Sequence, residues 1–334
     1  MLTIRRVDPE HDETMTAYSS ICIESESFED PYATPFTYVE SREALRNTDP
    51  SDVCEGYLGY VDDRPVATGT VFLFLSDNTD KSFVFVNTLP EFRNRGHGSQ
   101  MLDFALERLR TEGRTTALSE ATYPFEADES HPYRRFLTDR GFEFSQAEVH
   151  RVLELPPDAE LLDKLKADAA PHHADYTLAD YTGLVPESMR EDYCVLLNQI
   201  IVDAPSGTID FEEGRLTPEM LAEKEESSRA RGRTTYVTVA LDRDGVPVAH
   251  NVLVVPETDP GKIFNHDTLV RRDHRGHRLG LATKIHNLRR VAALHPDRTT
   301  VHTWNAESNA PMIAVNDAMG FTPVRYGGAY HRPL

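Results

Sequence analysis

Two short stretches of this chain gather cations, imidazoles and glycines just ahead of an apolar helix. They are Arg93-Asn94-Arg95-Gly96-His97-Gly98-Ser99 and Arg275-Gly276-His277-Arg278-Leu279-Gly280. A strand that leads into such a loop and then into a helix is an arrangement that cradles phosphate. The N–H groups of the loop and first turn have no intrahelical partner, the helix dipole favours negative charge there, and glycine lets a ligand approach the main chain. The spacing is neither that of a G-x-x-x-x-G-K-[ST] phosphate loop nor that of the G-x-G-x-x-G dinucleotide fingerprint.

The elements that carry these loops recur. Arg93 and Arg275 are 275 − 93 = 182 residues apart, and the Gly-Phe pairs at Gly141 and Gly320 are 320 − 141 = 179 apart. Two landmarks at nearly one offset imply an internal duplication. Residues 55–75 read as strand, Asp-Asp turn, strand, and residues 234–255 repeat the pattern with Asp244-Gly245 as the turn. Each hairpin is followed by a β-rich run, at 82–89 and 262–270, and then by the Arg/Gly loop. A helix follows each loop, with Met101, Leu102, Ala105 and Leu109 on one apolar face and Leu281, Ile285, Leu288 and Val291 on the other. A further strand (115–121 and 299–305), a short helix ending at Gly-Phe and a last strand complete each unit. Strands alternating with helices predict an α/β fold, α+β layered. Two domains are expected, at 1–155 and 176–334, with the polar, proline-bounded stretch 156–175 as linker.

Length and composition are consistent with this. A chain of 334 residues favours two domains, and 39% hydrophobic and 27% charged residues are ordinary for a globular protein. The N-terminus lacks a signal-peptide core and no run approaches the ~18 apolar residues of a membrane span, so a cytoplasmic protein without membrane partner is expected. A net charge of −20 argues against nucleic acid and suits a cationic acceptor such as an amine, although acidic surface also serves solubility alone. Cys22, Cys54 and Cys194 have no metal-ligand spacing, and His172-His173 lack a third ligand nearby, so no metal is expected.

The hairpin, third strand, R-x-x-G-x-G loop, helix, strand, helix and Gly-Phe, occurring twice, resemble the GNAT superfamily of N-acetyltransferases. The layout looks like a tandem GNAT protein, an arrangement shared with mycothiol synthase: two domains, each a mixed twisted sheet flanked by helices. The resemblance implies an acetyl-CoA cosubstrate whose pyrophosphate is gripped by the loop, matched by Arg93, Gly96 and Gly98 with Arg95, His97 and Ser99 between and beside them. In the second half Arg275 and Gly280 match, with Gly276, His277 and Leu279 alongside, while Arg278 stands where the first glycine is expected. An arginine there still offers its N–H and a cation, provided its φ is not forced positive. The resemblance also implies that the strand before the loop holds the pantetheine arm, at Thr88 and Leu89 or Val270 and Arg271. In the helix before Gly-Phe it places an asparagine near the cofactor and a tyrosine that protonates the leaving thiolate. Asn309 takes the first position, but Asn316 or Leu137 stands at the second, so neither half has the tyrosine. Asn305, in a polar run at the end of the last-but-one strand, falls where the family contacts cofactor.

Acetyl transfer to an amine needs a base to free the nitrogen. His266 and Asp267, one strand position apart, are the candidates, and only one of two strand neighbours faces a given side. The alternative for both is structural support. His250 is a further candidate base, Tyr326 and Tyr330 are candidates for the missing acid, and Trp304 reads as core. Asp210, Glu212 and Glu213 open an acidic run that suits an ammonium or is merely a solvated helix face. The polar residues around Asn305 and Asn309 favour the second half as catalytic. The expected function is acetyl transfer from acetyl-CoA to a small, cationic primary amine by a monomer or homodimer. The alternatives are a degenerate acyl-CoA sensor or scaffold, and acetylation of a cysteinyl amino-sugar as by mycothiol synthase.

Overall fold

The computed structural model describes residues 1–46, 52–127, 130–203, 208–209, 211–212 and 216–334. In chain order the elements are β1 (Thr3–Arg6), α1 (Asp12–Ser27), α2 (Tyr38–Leu45), β2 (Asp52–Val61), β3 (Arg64–Phe74), β4 (Lys81–Thr88), α3 (His97–Thr111), β5 (Thr116–Pro124), α4 (Pro132–Thr138) and β6 (Glu143–Glu154). There follow α5 (Ala159–Ala169), β7 (Thr177–Thr182), α6 (Arg190–Asp203), α7 (Pro218–Ala230), β8 (Arg233–Leu241), β9 (Pro247–Pro256), β10 (Lys262–Val270), α8 (Leu279–Leu294), β11 (Thr300–Ala306), α9 (Ala310–Ala318) and β12 (Thr322–Pro333). No helix of the described residues is long and apolar enough to cross a membrane.

The chain forms two compact units. Unit 1 comprises residues 1–147, the described part of 206–212, and 326–334; unit 2 comprises the described parts of 148–205 and 213–325. The strand order of unit 1 is β1-β2-β3-β4-β5-β12, and that of unit 2 is β6-β11-β10-β9-β8-β7. In unit 1 the strands β1 to β4 are antiparallel and β4 pairs β5 in parallel. Unit 2 repeats this with β7 to β10 antiparallel and β10 parallel to β11. The turn between β2 and β3 is formed by Asp62 and Asp63, at φ 47° and 60°, as a tight hairpin with two left-handed residues requires.

Each sheet has a core on both faces. In unit 1, α3 packs Met101, Leu102, Ala105 and Leu109 onto Val66, Val71 and Val84, and on the other face α1 and α2 pack Met15, Tyr18, Ile21 and Leu45 onto Cys54 and Leu58. In unit 2, α5 and α8 pack Leu162, Ile285, Leu288 and Val291 onto Leu253, Ile263 and Val301, while α6 and α7 bring Tyr193, Leu196 and Leu221 to Val237 and Leu269. All three cysteines are buried and free.

The units differ from the expected domains in two respects. The closing strand of each unit comes from the other half of the sequence: 326–333 of β12 in unit 1, and 148–154 of β6, paired antiparallel to β11, in unit 2. Residues 156–175 are not a loose linker either. Asp158 caps α5, and Leu162 and Ala169 are buried in the unit 2 core, so a stretch that reads as polar is an amphipathic helix packed on α8.

Candidate active site

In both units the parallel pair next to the Arg/Gly loop splays. β4 pairs β5 only over Lys81–Phe83, and β10 pairs β11 only over Lys262–Asn265, so the last five residues of each strand leave their neighbour before the loop begins. The loops themselves are near copies. Asn94 and Gly96 are left-handed at φ 59° and 82°, and Gly276 and Arg278, at the corresponding places, at φ 87° and 51°. Glycine and side-chain-bearing residue have exchanged positions. Arg278 therefore sits in the conformation that the sequence reading required it to avoid, a strain of roughly 1–2 kcal/mol.

Helix N-termini separate these loops from the rest of the molecule. Side chains of His11, Thr37, His131, Asp158, Thr217 and Asn309 cap α1, α2, α4, α5, α7 and α9. No side chain caps α3 or α8. Their first-turn amides are left to an external acceptor, which is what an anion site needs.

The loop arginines turn inward instead. Arg93 Nε donates to the Thr88 carbonyl at 3.1 Å, its terminal nitrogens donate to Tyr133 Oη (2.8 Å) and the Ser25 carbonyl (2.9 Å), and Phe28 and Tyr133 rings flank it. Arg275 Nε donates to the Val270 carbonyl at 3.3 Å in the same way. Both clamp the loop to the end of the splayed strand, leaving backbone amides as the anion-facing groups. His277 bonds the His172 carbonyl and Arg278 the Asp168 carbonyl. Arg271 is paired to Asp273, Arg95 lies over Phe92, and Ser99 Oγ accepts from Arg140. Leu279 is buried, and the amides of Leu89 and Arg271 are bonded to Val66 and Val248. His97 Nδ1 is enclosed without a hydrogen-bond partner among the described residues. Gly98 is packed closely, with space for a Cβ limited by Thr88 Oγ1 at 3.2 Å and Phe136 at 3.4 Å; Gly280 is looser, with Val270 at 3.4 Å.

The two units part company on the splayed strand. β4 pairs β3 in unbroken register, with Phe85 opposite Thr70. β10 carries a bulge: Asn265 faces Leu253 and Thr268 faces Asn251, so His266 and Asp267 together occupy the space of one residue. Both side chains reach solvent yet are walled by protein. That desolvation pushes His266 down to about 4, with Arg233 a lesser cause, and raises the Asp267 carboxyl. A buried asparagine network holds the bulge. Asn251 Nδ2 donates to Asn265 Oδ1 (2.7 Å), Thr268 Oγ1 (3.0 Å) and the Asp267 carbonyl (3.3 Å), and Asn287 Nδ2 donates to Asn251 Oδ1 (2.9 Å).

Below lies Lys284, 2% exposed, which donates to Asn316 Oδ1 and sits 4.7 Å from the Phe321 ring. Burial drives its ammonium down to about 7. Asn316 Nδ2 donates in turn to Asn305 Oδ1 at 2.5 Å. Asn316 is fully buried, and its amide supports Asn305 from behind. Asn309 caps α9 by accepting from the Met312 amide.

The sequence reading missed Asn251, Asn265, Lys284 and Asn287. Its available signal was polar residues inside apolar runs, such as Lys284 between Leu281 and Leu288. Among the weaker candidates, His250 is buried against Tyr193 Oη (2.7 Å), Tyr330 lies in the unit 1 core and Tyr326 stacks on Phe125 in unit 1. Glu212 exchanges backbone and side-chain bonds with Asn78 in unit 1; Asp210 and Glu213 lie outside the described residues. No group of three metal-binding side chains occurs among the described residues.

Splayed strands, uncapped helices and glycine loops in both halves agree with what is found among known proteins. Residues 21–142 match the acetyltransferase (GNAT) family, and the whole chain superposes on a tandem GNAT protein from the clavulanic acid biosynthesis pathway. That likeness has 24% identity and a TM-score of 0.81 over 100% of this chain and 98% of the other. Residues 21–142 carry the GNAT family pattern, and the whole chain has the fold of a tandem GNAT protein. The chain also resembles a GCN5-related N-acetyltransferase from Sphaerobacter thermophilus, at 15% identity and TM-score 0.64 over 99% and 95% of the two chains. A putative acetyltransferase from Pyrococcus horikoshii gives 13% and 0.55 over 100% and 89%. No curated protein matches. Acyl transfer is the chemistry of the family that residues 21–142 match.

Proposed function

We propose that the protein transfers acetyl from acetyl-CoA to the primary amine of a small, cationic molecule, by direct attack in a ternary complex in unit 2. The observation that carries the choice of unit is the β10 bulge. Unit 1 has the same splay and the same uncapped helix, but Phe85 stands where unit 2 has His266 and Asp267.

The residues fit the cosubstrate. Uncapped amides at the start of α8 suit its pyrophosphate, and the backbone of β10 beyond Asn265, released from β11, suits its extended arm. Acetyl-CoA supplies the activated acetyl thioester. Asp267, its carboxyl raised by burial, is better matched to an ammonium proton than an ordinary carboxylate, while His266 is a neutral ring near pH 7. Asp267 is placed to receive the ammonium proton; attack by the free amine then forms the N–C bond and breaks the C–S bond, and the second proton, shed by nitrogen as the amide forms, leaves with the thiolate as the CoA thiol. Asn305, oriented through Asn316 and Lys284, is the side-chain amide that this array holds in place at the end of β11. Holding both substrates together supplies much of the acceleration. Unit 1, with its matched family pattern and apolar Phe85, is read as a non-catalytic acyl-CoA binder.

Calorimetric titration with acetyl-CoA, followed by a CoA-release assay over an amine panel, tests this. Asp267→Asn is expected to keep acetyl-CoA affinity within about twofold and to lower turnover by about 10²–10⁴. No acetyl-CoA binding, or CoA release unchanged in both Asp267→Asn and His266→Ala, would sink the assignment. Binding without release across a broad panel would favour a sensor.

A further inference from the structure

One face of unit 2 is paved with aromatic rings. Strand alternation places Phe264 and His266 of β10, His302 and Trp304 of β11, and His150 of β6 on the side away from Ile263, Val301 and Leu153, which are in the core under α5 and α8. The rings touch: His150 stacks on Trp304 at 4.3 Å and 11°, and Phe264 lies 6.0 Å from Trp304 and 5.8 Å from His302. The lower members are fixed. His150 Nε2 and His302 Nδ1 are 2.9 Å apart, and His302 Nε2 meets Thr300 Oγ1 at 2.9 Å. Burial keeps both imidazoles neutral, pushed down to about 2 and about 4. The upper members, Phe264 and Trp304, are half-buried, and His266 is exposed. The paving runs to the point where β10 leaves β11, and Asp267 is the next residue.

We propose that this face is the acceptor site and that it takes a primary amine carried on a flat aromatic body, an arylalkylamine. The ring lies on Trp304 and Phe264, and the nitrogen reaches His266 and Asp267. This rests on the proposed function, whose cleft it shares. A rigid apolar floor with polar groups at one end binds a molecule with one flat apolar face and one charged end. An offset-stacked aromatic pair contributes about 0.5–1.5 kcal/mol beyond burial, an advantage that an aliphatic polyamine does not share.

Trp304 is the only tryptophan in the chain, so intrinsic fluorescence reports this face directly. The full-length protein is titrated with 2-phenylethylamine and with putrescine, each with and without CoA, and affinities are confirmed by calorimetry. 2-Phenylethylamine is expected to change Trp304 emission saturably and to bind about tenfold tighter than putrescine. Trp304→Leu is expected to remove that preference, and Trp304→Phe to retain it, with acetyl-CoA affinity unchanged in both as the control for folding. Putrescine bound as tightly as 2-phenylethylamine by the unmodified protein overturns the proposal whether or not the variants fold. So does a preference that survives Trp304→Leu. Failure of acetyl-CoA to bind would instead strike the acyltransfer reading, with the amine titration still decisive for this face.

Discussion

Replacing Lys284 by leucine should stabilise unit 2, and the size of the effect follows from its surroundings. Leucine is what unit 1 has at the equivalent position, Leu102, one turn past Gly98 as Lys284 is past Gly280. Burial takes the ammonium from 10.5 down to about 7, which corresponds to about 5 kcal/mol for the charged form. Against this, leucine leaves Asn316 Oδ1 without its donor, at about 1–3 kcal/mol. The net expectation at pH 6 is a gain of about 2–4 kcal/mol. The pH dependence is the sharper test. Because the folded-state pKa is depressed, the unfolded chain binds more protons between about 7 and 10.5, so wild-type stability rises with pH across that interval. From pH 7 to 8.5 the rise is about 2 kcal/mol by the same conversion. In this window the histidines with depressed values, the buried His150, His250 and His302 and the solvent-reaching His266, all at or below about 4 when folded, have made most of their contribution. Cys22, raised to about 12, acts in the opposite direction only above about 9. Urea unfolding followed by Trp304 emission reads unit 2 alone. A wild type flat from pH 7 to 8.5, or a leucine variant with the wild-type slope, would refute the reasoning.

Arg278→Gly relieves a left-handed residue and should raise the melting temperature by an amount equivalent to about 0.5–1 kcal/mol, while weakening acetyl-CoA binding to unit 2; a lower melting temperature would contradict the strain assigned to Arg278. Gly98→Ala forces a Cβ to 3.2 Å from Thr88 Oγ1 and should cost about 1 kcal/mol or more, whereas Gly280→Ala, at 3.4 Å or beyond, should stay within about 0.5 kcal/mol, both read by urea unfolding followed by circular dichroism, which reports both units. Arg93→Lys, which cannot reproduce the three-point clamp on Thr88, Tyr133 and Ser25, should cost about 1–3 kcal/mol in unit 1 stability and loosen acetyl-CoA binding there by calorimetry.

Much of this fold is legible because each element has a local cause. The Asp62-Asp63 and Asp244-Gly245 turns, the apolar faces of α3 and α8 and the glycine loops are all set by residues close in sequence. The exchange of β6 and β12 is not, since a strand's partner across the sheet is set by residues far away in sequence. α5 escaped because its apolar positions, Leu162 and Ala169, are sparse among charges and emerge only against α8. In the site, His266 and Asp267 could be named, but the bulge that presents both could not. It depends on Asn251 and Asn287, distant in sequence and polar where periodicity expects core. Arg93 and Arg275 were expected on phosphate, and their inward turn depends on strand-end carbonyls that sequence does not reveal.

The two halves have specialised by exchanging polarity between loop and core. Unit 1 has the less strained loop, with Gly96 left-handed, above an apolar interior of Gly69, Val84, Leu102 and Ala105. At the matching places unit 2 buries Asn251, Asn265, Lys284 and Asn287, and accepts a left-handed Arg278. Each of these choices costs stability that an apolar residue or glycine would have retained. Costs concentrated under one strand call for a local return, and the one visible is the bulge, whose Asp267 carbonyl is held by Asn251. If the polar interior existed only for folding, the apolar set of unit 1 would serve equally well in unit 2. Asn251→Gly with Asn287→Ala would then leave acetyl transfer untouched; loss of turnover with retained acetyl-CoA binding is the result expected if the network exists to hold His266 and Asp267 in place.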